Sequence, residues 1–222
     1  MMAPEISAWR KLERRRLLQA RQAVSAEQLA QCRARIDMHL QRAFPELVHG
    51  VIAFCWPYRG EYDARHFIAQ LRRSGVIAAL PVVVAPGSPL IFRKWYPGIA
   101  MRDGPLGIPY PDHSEALTPD NVLLPMLGWD AAGYRLGYGG GYFDRTLAAL
   151  EKRPRVVGIA YELQYLETIQ PQPHDVPVDF VVTERGVYRR DAAGLRFLDE
   201  PGLSSPVCYA AEIAPDYFGK KE

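Results

Sequence analysis

Cysteine is scarce in this chain. Its 222 residues include three, Cys32, Cys55 and Cys208, far apart and odd in number, which fits neither a disulfide framework nor the paired spacing of a zinc site. They read as reduced thiols. Long apolar runs are missing as well: the stretch from Gly75 to Ala85 is interrupted by Pro81 and is far shorter than the roughly 18 to 20 residues needed to cross a bilayer. The N-terminus is polar and Arg-rich with no apolar segment behind it, so it does not read as a secretory signal. The expectation is a cytoplasmic protein with no membrane span. Lysine is rare too: only five of the 27 basic residues are lysine and the rest are arginine, a side chain that stays charged and forks two hydrogen bonds onto one phosphate or carboxylate.

What is present describes an ordinary globular chain, 48% apolar and 23% charged, which excludes disorder and collagen-like architecture. One domain is expected, since single cores keep growing up to about 250 residues. There is no internal repeat and no low-complexity segment. The net charge of +2 is unevenly spread: residues 1–42 hold nine Lys/Arg against four Asp/Glu, and residues 191–222 hold three against six. A polyanion would be drawn to the basic end, and a phosphate on a small molecule would serve equally well. An RNA-associated reading lacks interleaved aromatics and any recognisable nucleic-acid module.

No proline or glycine occurs from Ser7 to Phe44, and Leu17, Leu18, Leu29, Ile36 and Leu40 recur at helical spacings. Two helices joined near Val24-Ser25 follow, with Ser25 as N-cap and Gln28 completing a capping box. Gly50 to Cys55 is a short apolar run that reads as a buried strand. Asp63 to Ser74 predicts an amphipathic helix, Val76 to Val84 a second strand, and Pro89 to Tyr96 a strand or hairpin arm. Pro97 to Pro119 is a long loop of the kind that is functional or mobile. Val122 to Leu127 is a further strand, followed by a glycine-rich turn, a helix over Tyr142 to Lys152, and strands at Arg155 to Ala160 and Phe180 to Thr183. Alternating strands and helices predict a three-layer α/β/α domain with a mostly parallel sheet, N-terminal helices and an active site at the carboxyl ends of the strands. After about Arg189 the chain turns polar, and residues 191–222 are expected to be a C-terminal extension of a domain spanning 1–190.

The chemistry concentrates in Arg135-Leu-Gly-Tyr-Gly-Gly-Gly-Tyr-Phe-Asp144-Arg145, where Gly137, Gly139, Gly140 and Gly141 sit between a strand and a helix. Glycine admits close backbone approach and positive φ, and a helix N-terminus adds partial positive charge, a combination that binds phosphate. A plain turn is the alternative on composition alone. The segment is neither a P-loop nor a Rossmann fingerprint. Arg135 and Arg145 add cationic charge, Asp144 is a hard oxygen ligand, and Tyr138 and Tyr142 offer aromatic faces.

This segment, with Pro125 and Asp130 before it, resembles the signature of the 5-formyltetrahydrofolate cyclo-ligase family. Gly60-Glu61-Tyr-Asp63, Val156-Val-Gly-Ile-Ala-Tyr161, His174-Asp175-Val-Pro-Val-Asp179 and Val181-Val-Thr183 resemble further family blocks in the same order, covering roughly residues 7–188. The resemblance implies an ATP- and Mg²⁺-dependent enzyme that acts on 5-formyltetrahydrofolate. It implies ATP contacts along Arg135, Leu136, Gly137, Tyr138, Gly139, Gly140, Gly141, Tyr142 and Phe143, catalytic roles for Arg135 and Tyr142, and metal ligation by Asp144 and Asp175. It further implies folate contacts from Glu61, Trp56 and the 138–142 loop, with Tyr58 a second candidate beside the pterin. Aligned on Arg21 and Val24-Ser25, the family's helix lysine falls at Arg10, with Lys11 beside it, and its next arginine at Arg14. Positions i and i+4 share a helix face, so Arg10 and Arg14 could reach one triphosphate, a solvated basic face being the alternative. Cys55-Trp-Pro-Tyr58 departs from the family's more aliphatic stretch. Of the histidines, His39, His49, His66 and His113 are scattered and only His174 has a plausible site role. The expected partners are small molecules, with no nucleic acid and no membrane, for a monomer. A divergent paralogue that binds folate or nucleotide with little turnover is the alternative function.

Overall fold

The first helices are set by their boundary. Ser25 accepts from the Gln28 amide and Gln28 reaches back to the Ser25 amide, so α1 (Ala3–Gln22) ends and α2 (Ala26–Ala43) begins at the expected capping box. The structure is a computed structural model and describes residues 3–198. After α2 come β1 (Val51–Phe54), α3 (Arg65–Arg73), β2 (Ile77–Val82) and β3 (Ile91–Trp95). The long loop carries β4 (Met101–Asp103), β5 (Pro109–Pro111) and β6 (Ala116–Leu117). Then follow β7 (Asn121–Pro125), β8 (Gly128–Asp130), β9 (Arg135–Leu136), α4 (Tyr142–Ala149) and β10 (Arg155–Ile159). The chain continues through β11 (Tyr165–Leu166), β12 (Phe180–Val182), β13 (Val187–Asp191) and β14 (Gly194–Phe197).

Nine strands form the main sheet in the order β14-β13-β12-β10-β7-β1-β2-β3-β6. The five central strands are parallel, and the antiparallel pairs lie at the two edges. Central strands bury both faces, which is why they read as unbroken apolar runs. Ile52, Phe54, Leu80, Leu123, Val157 and Val182 pack with Ile36 and Leu40 of α2 and Phe67 and Ile68 of α3. Ala53, Ala79, Val122, Leu124, Val156 and Val181 face the other way, against Leu147 of α4. This is the expected three-layer arrangement. Pro81 falls at the carboxyl end of β2, beyond Ala79, the last residue of β2 paired with β1.

The first helix is seated by a third cluster, in which Leu17 packs with Leu127, Leu136, Leu166 and Ile169. Gly128 permits this approach, because a Cβ there would lie 2.8 Å from Leu17 Cδ1. Helix position then dictates what else turns inward: Arg10, Arg14, Leu17 and Arg21 recur on one face, with Arg10 and Arg21 buried and Arg14 half-buried, while Lys11, Arg15 and Arg16 are exposed. The basic stripe is therefore an inward face of α1, and the solvated alternative is set aside.

Two expectations are corrected. The long loop is not structureless: β4 and β5 pair as an arm. The polar chain after Arg189 does not start as a tail either, because β13 and β14 form a hairpin that extends the sheet, and the expected boundary at 190/191 cuts through it. Outward-facing Arg189 and Arg190 supply the polarity. The hairpin is tied down where Leu195 N donates to the Ala131 carbonyl at 2.7 Å and Arg190 Nε donates to the Ala132 carbonyl at 2.9 Å. The expected extension from 199 onward lies outside the described residues. Among those described, no helix is long and apolar enough to cross a membrane.

Candidate active site

The parallel strands lie in the order β2-β1-β7-β10-β12, so the chain steps outward in opposite directions from the gap between β1 and β7. In doubly wound sheets ligands bind outside the carboxyl ends of the strands at this switch point. A cavity of about 570 Å³ opens there. The turn after β1 supplies Cys55, Trp56, Tyr58 and Glu61, and β7 supplies Leu124 and Pro125. The segment from Arg135 to Asp144 forms one wall, and Arg10, Arg14, His174 and Asp175 close one side. The β4–β5 arm contributes Pro105, Leu106, Ile108, Pro109 and Tyr110.

One end of the cavity is built to hold negative charge. Gly141 is the N-cap of α4, so the first amides of that helix lack intrahelical acceptors. Arg14 Nε donates to the Gly137 carbonyl at 2.8 Å, and no hydrogen bond occupies its terminal nitrogens among the described residues. Burial lowers its pKa from the ordinary guanidinium value, and the neighbouring Arg10 cation lowers it further, with Asp175 opposing. Gly139 has φ +97°, and a Cβ there would lie 3.3 Å from the Arg14 guanidinium carbon. Gly139→Ala is expected to destabilise by about 1–2 kcal/mol, the cost of a left-handed backbone carrying a side chain, and to weaken any phosphate contact. Urea unfolding beside a nucleotide titration checks both.

Below the glycine turn lies an ion-pair framework. Arg135 donates to the Val176 carbonyl and, at 2.7 Å, to Asp144 Oδ1. The same oxygen accepts from Val176 N at 3.0 Å. Burial depresses the Arg135 pKa, with Asp144 and then Asp175 pulling it back. Arg10 donates to the carbonyls of Ile169 and Gln170 and grips Asp175 at 2.5 Å, and Asp175 Oδ2 also accepts from Gln172 N. Burial works to raise the Asp175 pKa, but the bonds from Arg10 and Gln172 outweigh it and hold the carboxyl below its ordinary value. Arg145 donates to the Gly140 carbonyl at 2.7 Å and stacks on Tyr142 with its guanidinium 5.1 Å from the ring centroid.

The other end is aromatic and acidic. Trp56 packs on Trp95 and carries the Arg65 guanidinium 4.7 Å from its ring centroid, while Tyr58 meets Tyr138 edge to face at 5.6 Å. The Glu61 side chain is 4% exposed. It accepts from Tyr138 Oη at 2.9 Å and Tyr58 N at 3.1 Å. Burial raises its pKa, opposed by Arg21, Tyr138 and the Tyr58 amide in that order.

The residues expected from sequence thus meet at one cavity, apart from Lys11, which is exposed and outside it. Asp175 arrives already engaged with Arg10. Asp144 keeps Oδ2 without a hydrogen bond among the described residues. Asp130 is a scaffold: its carboxylate accepts from the amides of Ala132, Tyr134 and Ile169. Sequence reasoning missed Arg21 as a site-building residue and the arm's five wall residues. The signal for Arg21 was its place on the Arg10, Arg14, Leu17 face; the arm's proline and apolar content gave no periodicity to read.

Fold and site together define a doubly wound α/β enzyme in which a cationic glycine turn and an aromatic, acidic pocket share one cavity. Residues 6–184 match the profile of the 5-formyltetrahydrofolate cyclo-ligase family, and the chain belongs to that family. It is similar to the 5-formyltetrahydrofolate cyclo-ligase of Escherichia coli K12, with 29% identity over 178 residues covering 77% of this chain and 97% of the relative. The Haemophilus influenzae cyclo-ligase is 31% identical over 135 residues, 57% of this chain and 72% of the relative. In structure the chain is similar to the 5,10-methenyltetrahydrofolate synthetase of Aquifex aeolicus, with a TM-score of 0.71 and 28% identity over 86% of this chain and 97% of the other.

Proposed function

We propose that the protein converts 5-formyltetrahydrofolate to 5,10-methenyltetrahydrofolate with ATP and Mg²⁺, releasing ADP and phosphate, as a cytoplasmic monomer. The observation that carries this reading is the single cavity at the β1/β7 switch point, with a phosphate-suited end beside a pocket suited to a flat, hydrogen-bonding ring. The formyl oxygen of the substrate attacks the γ-phosphorus of ATP and ADP leaves, giving an imidate phosphate. The neighbouring N10 then bonds to the activated carbon, loses its proton, and phosphate departs. A formamide oxygen is a poor leaving group until phosphorylated, and phosphoryl transfer is driven mainly by positioning and charge neutralisation.

The chain's own residues are assigned accordingly. Arg14 and the amides from Gly139 to Phe143 bind phosphate oxygens, with Leu136, Gly137 and Tyr138 shaping the approach. Arg10 braces Asp175 and lends its charge to the same side. Trp56, Tyr58 and Tyr142 flank the pterin, and Glu61 accepts hydrogen bonds from it. Arg135 acts by holding Asp144 in place.

The donor set suits Mg²⁺ brought by the nucleotide. Among the described residues no group of three or more His, Cys, Asp or Glu could cage a metal, and Mg²⁺ is commonly bound through one or two carboxylates plus substrate phosphates. Asp144 would hold it through Oδ2, which has no hydrogen bond among the described residues, and Asp175 would do so by yielding part of its bond to Arg10. When bound, Mg²⁺ supplies neutralisation of phosphate charge.

The test follows methenyl-product absorbance when the protein is mixed with 5-formyltetrahydrofolate, ATP and Mg²⁺. A rise that EDTA abolishes is expected. No rise from folded protein that still binds 5-formyltetrahydrofolate would favour the binding paralogue, a reading motivated by the engagement of Arg10 with Asp175.

A further inference from the structure

Arg21 has a side chain only 1% exposed and does not line the cavity, yet it bonds to several residues that do. Its Nε donates to the Arg59 carbonyl at 3.0 Å, and one terminal nitrogen donates to the Tyr58 carbonyl at 3.4 Å and to Tyr138 Oη at 2.5 Å. That nitrogen is 3.8 Å from Glu61 Oε1, the oxygen to which Tyr138 also donates. The turn it grips is strained, with Arg59 at φ +47°, a left-handed conformation that a non-glycine residue holds only when its surroundings impose it. One guanidinium therefore ties α1, the turn after β1 and the glycine loop to a single carboxylate.

We propose that Arg21 is a positioning residue for the substrate acid: it keeps Glu61 ionised and aimed into the cavity, and through Tyr138 it locks that acid to the glycine loop. This rests on the reading of Glu61 as the folate-contacting residue. The groups facing Glu61 are Arg21 from α1, Tyr138 from the glycine loop, Tyr58 N from its own turn, Cys55 after β1 and Tyr161 after β10. Arg21 is the cation of the set. Burial favours the protonated acid, and a cation at this range typically holds a carboxylate one to three pH units lower. Removing it shifts Glu61 toward the neutral form at any given pH.

The experiment is a double-mutant cycle of Arg21→Gln and Glu61→Gln, with kcat/KM for 5-formyltetrahydrofolate measured across pH at saturating ATP. Arg21→Gln is expected to lower kcat/KM at neutral pH by about tenfold or more and to move its ascending limb up by about one unit, while KM for ATP changes less than twofold. In the Glu61→Gln background the same substitution is expected to cost less than threefold. Arg21→Lys, which keeps the cation, is expected to retain the wild-type limb, and it enters the cycle if Arg21→Gln does not fold. An unshifted limb together with losses that multiply across the cycle would overturn the proposal. If Glu61→Gln by itself leaves kcat/KM unchanged, the assignment of Glu61 to folate fails first, and this inference with it.

Discussion

Asp144→Asn is expected to lower kcat by about 10²- to 10³-fold, the size of losing one preorganised electrostatic contact to the reacting group, while the protein stays folded. The geometry separates the two effects. Oδ1 accepts from Arg135 and from Val176 N, and an asparagine amide oxygen can keep both bonds. What disappears is the charge on the open Oδ2, the feature that suits a hard cation carried by a triphosphate. The loss should be partly relieved by raising Mg²⁺. The measurement is methenyl formation at saturating ATP over a Mg²⁺ titration, beside a thermal melt. Turnover near wild type would remove Asp144 from the mechanism.

Arg135→Met is expected to be the most damaging substitution for the fold at this site. The Arg135 and Asp144 side chains are 6% and 20% exposed, so the change leaves a largely buried carboxylate without its cation and the Val176 carbonyl without its donor. Breaking a buried pair by removing one partner costs about 3–5 kcal/mol. At the lower figure, a chain of this size should melt about 6–12 °C lower. Arg135→Lys keeps one charge but loses the fork, and should fall between. Thermal melts of both variants against Asp144→Asn decide the matter, because Asp144→Asn retains the bonds that Arg135→Met deletes. Equal stability of Arg135→Met and wild type would mean that the pair is not a structural clamp.

Much of the architecture was legible because its signals are local. The capping box at Ser25 and Gln28 needs four residues to be read, and the apolar runs at Val51–Phe54, Asn121–Pro125 and Arg155–Ile159 are what a strand buried on both faces must look like. The glycine turn was legible for the same reason: clustered glycines between a strand and a helix report a backbone requirement that no ordinary side chain meets. The hairpin at Val187–Asp191 and Gly194–Phe197 was not legible. Its residues are polar because one face is exposed, and its anchoring bonds run from Leu195 to Ala131 and from Arg190 to Ala132, 64 and 58 positions away. The β4–β5 arm escaped likewise, since its place at the cavity depends on packing beside β2 and β3 rather than on any period of its own.

Sequence by itself determined the class of fold, the order of its helices and of its central parallel strands, the glycine turn and the family. Composition, periodicity and backbone demands are properties of neighbouring residues and survive without a tertiary context. Only the tertiary structure decided which charges answer each other. Arg10, Arg14 and Arg21 look alike on one helix, yet the first is engaged by Asp175, the second faces the glycine turn with its terminal nitrogens unbonded among the described residues, and the third is buried against Tyr138 and Glu61. The reason is physical: a guanidinium is indifferent to its partner until packing removes water and leaves a particular carbonyl, carboxylate or open cavity within reach.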